Sequence, residues 1–256
     1  MEIRTQNLCI GYRTKKQELV IAEAITINIK NNGFYALIGN NGTGKSTFIR
    51  SLCRLQEVLS GTILINNKPL TNYTANELAK QISFVSTERI PSSNLSVYEL
   101  IALGRQAHTN WLGALTKNDK KIIEKALIDT NIVSLQNKKI NTLSDGQLQQ
   151  IMIARALAQN TPFIVLDEPT TYLDLENKTM ILLLLKKLAK TKTIIIATHE
   201  INSILPLADE LLISTNNKII QGKIEEKTIQ NVLKNLFSDK FLNFDTKTCQ
   251  FYVKKQ

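Results

Sequence analysis

A glycine-rich stretch close to the N-terminal end of the chain constrains the fold more than any other feature of the sequence. Residues 39–47 read Gly-Asn-Asn-Gly-Thr-Gly-Lys-Ser-Thr, and the apolar run at residues 34–38 before them predicts a buried strand. Four residues separate the first glycine from Gly44, and Lys45 and Ser46 follow directly, which fits the P-loop pattern of phosphate binding. A helix is therefore expected to begin at Gly44.

Each residue type in this loop has a physical role in binding the phosphates of a nucleotide such as ATP. Glycines let backbone N–H groups approach the phosphates closely, and the helix N-terminus adds a partial positive charge. Lys45 is expected to reach the β- and γ-phosphates, while Ser46, or Thr47 beside it, offers a hydroxyl to Mg²⁺. The candidate ATP-binding residues of the loop are Gly39, Asn40, Asn41, Gly42, Thr43, Gly44, Lys45, Ser46 and Thr47.

The composition predicts a single large folded domain with a sizeable core. The chain has 256 residues, of which 43% are hydrophobic and 21% are charged. Its longest apolar runs, such as residues 180–185, are far too short to cross a bilayer, which takes roughly 20 residues. The first residues are acidic and polar, so no secretory signal is expected and the sequence predicts a location in the cytosol.

The net charge of +10 raises the question of nucleic-acid binding. The lysines are scattered in short clusters, and aromatic residues make up 6% of the chain, so no stacking platform accompanies a basic stripe. Direct binding to nucleic acid is therefore not expected.

Strand-like and helix-like segments alternate along the chain, which predicts an α/β fold. From residue 96 to about residue 135 the apolar spacing becomes helical. The runs at residues 163–166 and 193–197 are continuous and β-rich, as in central parallel strands that are covered on both faces. The other predicted strands are residues 8–10, 25–29, 62–65 and 82–85.

Acidic residues and a histidine follow the two central strands. Asp167 and Glu168 come directly after the first, where open α/β sheets present ligands, and together with Lys45 they fit a Walker B motif. Asp167 is expected to hold Mg²⁺ directly or through water, and Glu168 to polarise the water that attacks the γ-phosphate. His199 follows the second strand, where a neutral imidazole can hydrogen-bond the γ-phosphate or the attacking water.

A further segment gives the chain a family resemblance. Leu-Ser-Asp-Gly-Gln at residues 143–147, followed by a helix-like run from Gln150, resembles the signature sequence of ABC-type ATPases. The P-loop, the Walker B acids and His199 stand in the same order as in that family, and the resemblance covers most of the chain. By the same resemblance, Tyr12 matches the aromatic residue that stacks on adenine, and Asp174 matches the D-loop.

The resemblance implies a P-loop NTPase fold of the α/β class, with a mostly parallel core sheet, an N-terminal antiparallel β subdomain and an inserted helical subdomain. A C-terminal extension would follow, with a helix at residues 224–237 and a strand at 251–253 that pack on the core or on a dimer mate. The expected bounds are 1–222 for the ATPase domain, with the core at about 1–86 and 160–222 and the helical subdomain at about 87–159, and 223–256 for the extension.

In ABC-type ATPases two nucleotide-binding domains face each other head to tail, so the resemblance implies a homodimer with composite sites. Ser144, Gly146 and Gln147 of one copy would contact the γ-phosphate held by the P-loop of the other. By its chemistry alone, Ser144 with Gln147 three residues later also fits a helix capping box, and both interpretations can hold at once.

The chain departs from the family pattern at two positions. Asp145 stands where the family usually has glycine, which places a carboxylate near an incoming triphosphate. Thr87 stands where the family usually has a glutamine that contacts Mg²⁺ and reports the nucleotide state to the permease. Thr87 is expected to contribute a hydroxyl through a bridging water, and Glu88 is the alternative oxygen ligand.

One segment narrows the choice within the family. A stretch with Gly104-Arg105, His108 and Trp111 is similar to ATPases of bacterial iron-siderophore, haem and vitamin B12 importers. This similarity implies a peripheral subunit on the cytoplasmic face of the inner membrane. It would act with two integral-membrane permease subunits, docked near residues 87–103, and indirectly with a substrate-binding protein. Two alternatives stay open: an ABC ATPase of another transporter, for amino acids, metal ions or export, and a soluble ABC protein outside transport.

Overall fold

The computed structural model describes residues 1–15, 17–86, 88, 93–237 and 241–254. No helix in these residues is both long enough and apolar enough to cross a bilayer. The strands are β1 (Glu2–Arg13), β2 (Glu18–Ile25), β3 (Asn28–Lys30), β4 (Gly33–Gly39), β5 (Val58–Ile65), β6 (Lys68–Pro69), β7 (Ile82–Val85), β8 (Phe163–Asp167), β9 (Thr193–Ala197), β10 (Glu210–Thr215), β11 (Lys218–Gly222), β12 (Leu242–Asp245) and β13 (Gln250–Val253). The helices are α1 (Lys45–Leu52), α2 (Ala75–Ala79), α3 (Val97–Ala102), α4 (Lys117–Asp129), α5 (Asp145–Gln159), α6 (Leu175–Leu188), α7 (Ile201–Ile204) and α8 (Lys227–Lys234). Short 3₁₀ turns lie at Leu70–Asn72, Leu103–His108, Val133–Leu135 and Ile140–Thr142.

The central sheet has its strands in the order β11-β10-β4-β9-β8-β7. All neighbours pair in parallel except β11, which runs antiparallel to β10 at the edge. One face packs on α1 and the other on α6, so every residue of β4, β8 and β9 is buried. Burial on both faces explains why these strands are continuous apolar runs in the sequence. The strands predicted at 34–38, 82–85, 163–166 and 193–197 are confirmed.

A second, antiparallel sheet is built from N-terminal strands in the order β2-β1-β5-β6, with β3 also paired to β1. It shares an apolar cluster with α1 and one face of the central sheet. Residues 25–29, predicted as one strand, divide between the end of β2 and β3. At the break the hydroxyl of Thr5 donates to the carbonyl of Ile25 at 2.9 Å and accepts from the N–H of Ile27 at 3.1 Å, so a side chain replaces the regular ladder.

A separate apolar cluster holds α3, α4 and α5 together. Ile101, Ile123 and Ile151, one from each of these helices, are fully buried in it. The sequence predicts helical structure from residue 96 to about 135, but α4 begins only after a break, where Thr116 and Asp119 form a capping box. This separate cluster supports the division into core and helical subdomain that we propose.

The C-terminal extension packs on the core of its own chain. The helix predicted at 224–237 is confirmed in a shorter form as α8, and the strand predicted at 251–253 lies in β13. β13 pairs with β12 in a hairpin that the sequence did not predict. Ile229, Leu233 and Phe244 are buried in the cluster that contains α6 and one face of the central sheet.

Arg105 and Asp119 form a buried ion pair that joins the 3₁₀ turn after α3 to α4. Their side chains are each 5% exposed, and Nε lies 2.8 Å from Oδ1. Arg105 also donates to the carbonyl of Ala158 in α5 at 2.8 Å. Hydrogen bonds from Thr116, together with the guanidinium of Arg105, hold the pKa of Asp119 at about 2 against the opposing effect of burial.

The Asp119→Asn variant is expected to lower the free energy of unfolding at pH 7 by about 3 kcal/mol, because the buried guanidinium of Arg105 loses its counter-charge. The folded-state pKa lies below the unfolded value of roughly 3.9. The ionised carboxylate therefore stabilises the fold above that value, and its contribution is lost as the pH falls towards about 2. Urea unfolding of the wild-type and Asp119→Asn proteins should show the difference in unfolding free energy becoming smaller as the pH falls from about 4 to about 2.

The matched control is Asp129→Asn, which breaks the more exposed Lys125–Asp129 pair on the same helix α4. It is expected to cost less than about 0.5 kcal/mol. Equal losses in the two variants, or an Asp119→Asn difference that does not change with pH, would contradict the account of the buried pair.

Candidate active site

The parallel strands β4, β9 and β8 bring three segments of the chain to one edge of the central sheet. Leu37 pairs with Ala197, and Ala197 pairs with Asp167, so these residues form one row of the ladder. Beyond this row, Thr198 donates its backbone N–H to the carbonyl of Leu37, and Glu168 donates to the carbonyl of Ala197. The P-loop, the two acids and the loop with the histidine therefore leave the sheet side by side, as the sequence predicts.

The P-loop connects β4 to α1, as predicted. Gly44 is the N-cap of α1 with a φ of 95°, and its helix end has no side-chain cap. The first N–H groups of α1 are therefore available to bind phosphate oxygens. An ideal Cβ on Gly44 would lie 2.3 Å from Cγ2 of Ile21, so glycine is needed here for space as well as for conformation.

Lys45 is 8% exposed, and its ammonium donates to the carbonyls of Gly39 at 2.9 Å and Asn40 at 3.0 Å. Burial lowers the pKa of Lys45, and the carboxylates of Glu168 and Asp167 oppose this effect. A buried cation held by carbonyl oxygens is stabilised further when an anion binds beside it. This environment suits a lysine that contacts phosphates.

A cavity of about 470 Å³ lies above the P-loop, within the range of small-molecule sites. Tyr12 borders it with a side chain that is 44% exposed, and its hydroxyl lies 3.1 Å from Oγ1 of Thr47. The partly exposed ring agrees with the predicted contact to a nucleotide base. The residues around the cavity are Tyr12, Ile21, Asn41, Gly42, Gly44, Lys45, Ser46, Thr47 and Glu168.

The side chains of Asn40 and Thr43 do not border this cavity, although the sequence predicts nucleotide contacts for both. Asn40 donates through Nδ2 to the carbonyl of Leu236 in the C-terminal extension at 2.9 Å. Thr43 donates through its hydroxyl to the carbonyl of Asn40, and Ser214 of β10 donates to the carbonyl of Thr43 at 2.7 Å. The bonds with Leu236 and Ser214 attach the P-loop to the C-terminal extension and to β10, so contact with a nucleotide is left to the backbone N–H groups of both residues.

Ser46 and Asp167 place two oxygen atoms together beside the cavity, with Oγ 3.2 Å from Oδ1. Burial raises the pKa of Asp167, and the hydrogen bond from Ser46 opposes this effect. Mg²⁺ is commonly held by one or two carboxylates together with substrate phosphates and water. Among the described residues no three His, Cys, Asp or Glu side chains cluster into a metal site. The oxygen atoms of Ser46 and Asp167 are of the type that suits an ion shared with phosphates.

Glu88, the alternative oxygen ligand predicted for Mg²⁺, has another partner in this structure. Glu88 forms an ion pair with Arg50 of α1 at 2.5 Å. Thr87, the other residue predicted to assist the metal, lies outside the described residues.

Glu168 and His199 contact each other at the sheet edge. His199 Nδ1 lies 2.9 Å from Oε2 of Glu168, and the backbone N–H of His199 donates to the same oxygen at 3.3 Å. Glu168 has a φ of 47°, which costs a non-glycine residue about 1–2 kcal/mol. Its backbone N–H remains bonded to the carbonyl of Ala197 at 2.9 Å, so the sheet holds this conformation. The sequence motifs predict both side chains but give no sign of the left-handed backbone.

The signature residues lie at the start of α5. The hydroxyl of Ser144 accepts from the N–H of Gln147, and the Gln147 side chain accepts from the N–H of Ser144, which confirms the capping box. An ideal Cβ on Gly146 would lie 2.8 Å from the carbonyl oxygen of Tyr172, so glycine permits this close approach. In the described chain neither these signature residues nor Asp174 border the P-loop cavity. The signature is therefore separate from the P-loop cavity within one copy.

Comparison with known proteins identifies the family. The sequence profile described as ABC transporter matches residues 22–171, which is more than half of the chain. The chain belongs to the ABC transporter family. It is an ABC ATPase, an enzyme that binds and hydrolyses ATP.

The relatives of this ABC ATPase match nearly its whole length. An ABC transporter ATP-binding protein of Methanocaldococcus jannaschii is 34% identical over 98% of this chain and 87% of the relative. The iron(3+)-hydroxamate import ATP-binding protein of Bacillus subtilis is 34% identical over 92% of this chain and 87% of the relative. The ferric enterobactin transport ATP-binding protein of Escherichia coli is 32% identical over 92% of this chain and 86% of the relative.

Solved structures confirm the predicted ABC ATPase fold. A dimeric ATP-binding cassette in a post-hydrolysis state with ADP and Pi has a TM-score of 0.76 and 28% identity, covering 86% of this chain and 98% of that one. A metal-chelate type ABC transporter in an inward-facing conformation has a TM-score of 0.74 and 27% identity, covering 91% of this chain and 85% of that one.

The Gly44→Ala variant of this ABC ATPase is expected to lose more than about 2 kcal/mol of unfolding free energy, from the strained φ and the overlap with Ile21. The Ile21→Ala, Gly44→Ala double variant removes the overlap and keeps the backbone strain. Its loss should therefore be smaller than the sum of the two single losses. Denaturant unfolding of the four proteins measures this coupling, and strictly additive losses would contradict it.

Proposed function

We propose that this ABC ATPase powers the import of an iron complex, such as a ferric siderophore or haem, or of vitamin B12, through separate permease subunits. The observation on which the proposal rests is that Lys45, Ser46, Asp167, Glu168 and His199 lie together at one edge of the central sheet. The class of cargo is supported by the names of two relatives, for iron(3+)-hydroxamate import and ferric enterobactin transport, and by the structural likeness to a metal-chelate type transporter.

Each residue of the site has a role in this proposal. Lys45 and the P-loop N–H groups bind the β- and γ-phosphates of ATP. Ser46 and Asp167 hold Mg²⁺, which when bound neutralises charge on the phosphates. Glu168 orients and polarises the attacking water, and His199, 2.9 Å from Glu168, stabilises the charge that develops on the γ-phosphate.

A homodimer would complete the site. Because Ser144, Gly146 and Gln147 do not border the P-loop cavity of their own chain, we place them against the nucleotide of a second copy, together with Asp174 at the N-cap of α6. The dimeric form of the similar cassette with ADP and Pi supports this arrangement. ATP binding would close the dimer and hydrolysis would reopen it, which drives alternating access in the permease.

A cleft of about 530 Å³ is the proposed docking site for the permease. It lies between α2 of the core and the turn after α3, with the end of α5 at its base. The sequence predicts the groove near residues 87–103; we propose that it extends over residues 103–111, where Leu103 is 44% and Trp111 is 91% exposed. His108, in the turn after α3, is attached to the end of α5, with Nε2 2.9 Å from the carbonyl oxygen of Gln159. Exposed aromatic side chains of this kind are typical of protein interfaces.

The proposed place of the chain in the transporter is supported by its likeness to import ATP-binding proteins. It would lie at the cytoplasmic face of the inner membrane as a peripheral subunit beneath two permease subunits. A substrate-binding protein would deliver the cargo to the permease without touching this chain. Thr87, near the proposed cleft in sequence, would contribute weakly to Mg²⁺ binding and mainly to coupling.

Capture from native membranes tests the proposed function. Tagged Glu168→Gln protein with ATP and Mg²⁺ is expected to turn over at least about a hundredfold more slowly than wild type, because the water loses its polarising carboxylate. The closed dimer should therefore persist through purification from detergent-solubilised membranes. Mass spectrometry is expected to identify a polytopic permease of a transporter for an iron complex or vitamin B12. Ribosomal or DNA-associated proteins without a permease would contradict import, and a permease for amino acids or export would contradict the cargo.

The Trp111→Ala variant is expected to reduce permease capture by about tenfold or more, because an exposed aromatic side chain in the docking cleft would be buried in the complex. ATP turnover of the isolated chain should not change. Tyr252→Ala is the matched control, since Tyr252 is 50% exposed on β13, outside the cleft. Equal capture by wild type and Trp111→Ala would contradict docking at this cleft.

A further inference from the structure

Glu200, directly after His199, is held by side chains from two other segments. Its Oε1 lies 2.5 Å from the ammonium of Lys178 on α6. Its Oε2 accepts a hydrogen bond from the hydroxyl of Thr170 at 2.8 Å. The side chains of Lys178 and Glu200 are 17% and 23% exposed, and Thr170 is 3% exposed. Both carboxylate oxygens therefore have a partner in a place largely shielded from water, where such bonds are stronger than at an open surface.

These bonds connect the two loops that carry the proposed hydrolytic residues. Thr170 lies two residues after Glu168, so its bond to Glu200 links the loop of the glutamate to the loop of the histidine. The backbone N–H of Glu200 also donates to the hydroxyl of Thr198 at 3.1 Å. The residues on either side of His199, Thr198 and Glu200, are thus hydrogen-bonded to each other, and Glu200 is also bonded to Thr170.

Lys178 stands on a part of α6 that is itself fixed. Its neighbour Asn177 donates from its backbone N–H and from Nδ2 to the carboxylate of Asp174, at 2.8 and 3.0 Å. Oδ1 of Asn177 accepts from Nε2 of Gln150 on α5 at 2.8 Å. The first turns of α6 are therefore joined to the signature helix on one side and, through Lys178, to the His199 loop on the other.

We propose that Glu200 is a positioning residue for His199, and that Lys178 and Thr170 fix its place. The proposal rests on the roles in hydrolysis proposed for Glu168 and His199. The side chain of His199 is 55% exposed, so packing alone does not fix it, whereas the neighbouring ion pair is mostly buried. Loss of the pair lets His199 move away from Glu168 and lowers turnover, while the P-loop still binds ATP as before.

The test is steady-state ATP hydrolysis by the purified chain, at a protein concentration where specific activity no longer rises. Lys178→Met keeps the aliphatic part of the side chain and removes the charge. Its kcat is expected to fall about tenfold, because a small displacement of a reacting group slows turnover. Its KM for ATP should stay within about twofold of the wild-type value. Lys178→Arg keeps the charge and should retain about half of kcat or more. Glu200→Gln should lose as much as Lys178→Met, and the double variant no more than either, because the two side chains act as one pair.

The matched control is Lys186→Met, which removes a lysine of the same helix α6 from its ion pair with Asp209, also at 2.5 Å. Its kcat should equal that of wild type even where its thermal stability falls as far as that of Lys178→Met. Wild-type kcat in Lys178→Met, or the same loss of kcat in Lys186→Met, would overturn the positioning role. Glu168→Gln is measured in parallel: full turnover in that variant overturns the proposed hydrolytic roles and the positioning role together. If Glu168→Gln loses turnover while Lys178→Met keeps the wild-type kcat, only the positioning role is overturned.

Discussion

The register of three buried parallel strands is the constraint on which the site depends. Leu37, Ala197 and Asp167 form one row across β4, β9 and β8, so the segments that follow are fixed relative to each other before any side chain is placed. A shift of one residue in either pairing would turn the side chains of a strand to the opposite face of the sheet. The apolar packing on both faces therefore protects the alignment of the P-loop with Glu168 and His199.

Burial has opposite effects on the two charged groups at the base of the site. It lowers the pKa of Lys45 and raises the pKa of Asp167, so in both residues the charged form is disfavoured by the loss of water. Phosphates beside Lys45 and a divalent cation beside Asp167 would each add opposite charge where burial disfavours the charged form. The site is thus electrostatically incomplete by itself, and a nucleotide with its metal ion is the kind of ligand that completes it.

Much of the fold could be predicted because its signals are local in the sequence. The buried strands are continuous apolar runs, and the capping box of Ser144 and Gln147 spans four residues. The features that sequence reasoning missed depend on partners far along the chain. Asn40 bonds to the carbonyl of Leu236, 196 positions away, so no local pattern could predict that its side chain leaves the cavity. The Lys178–Glu200 pair joins residues from two different segments, 22 positions apart, and the left-handed backbone of the Walker B glutamate comes from the sheet rather than from its residue type.

The central claim is that one nucleotide is held between the P-loop of one copy and the signature of another. A crystal structure of the Glu168→Gln protein with ATP and Mg²⁺ tests it most directly. We expect a dimer in which the triphosphate lies against Lys45, Ser46 and Asp167 hold the metal ion, and Ser144 and Gly146 of the second copy contact the γ-phosphate. A triphosphate that contacts the signature of its own chain, or that lies outside the P-loop cavity, would contradict it.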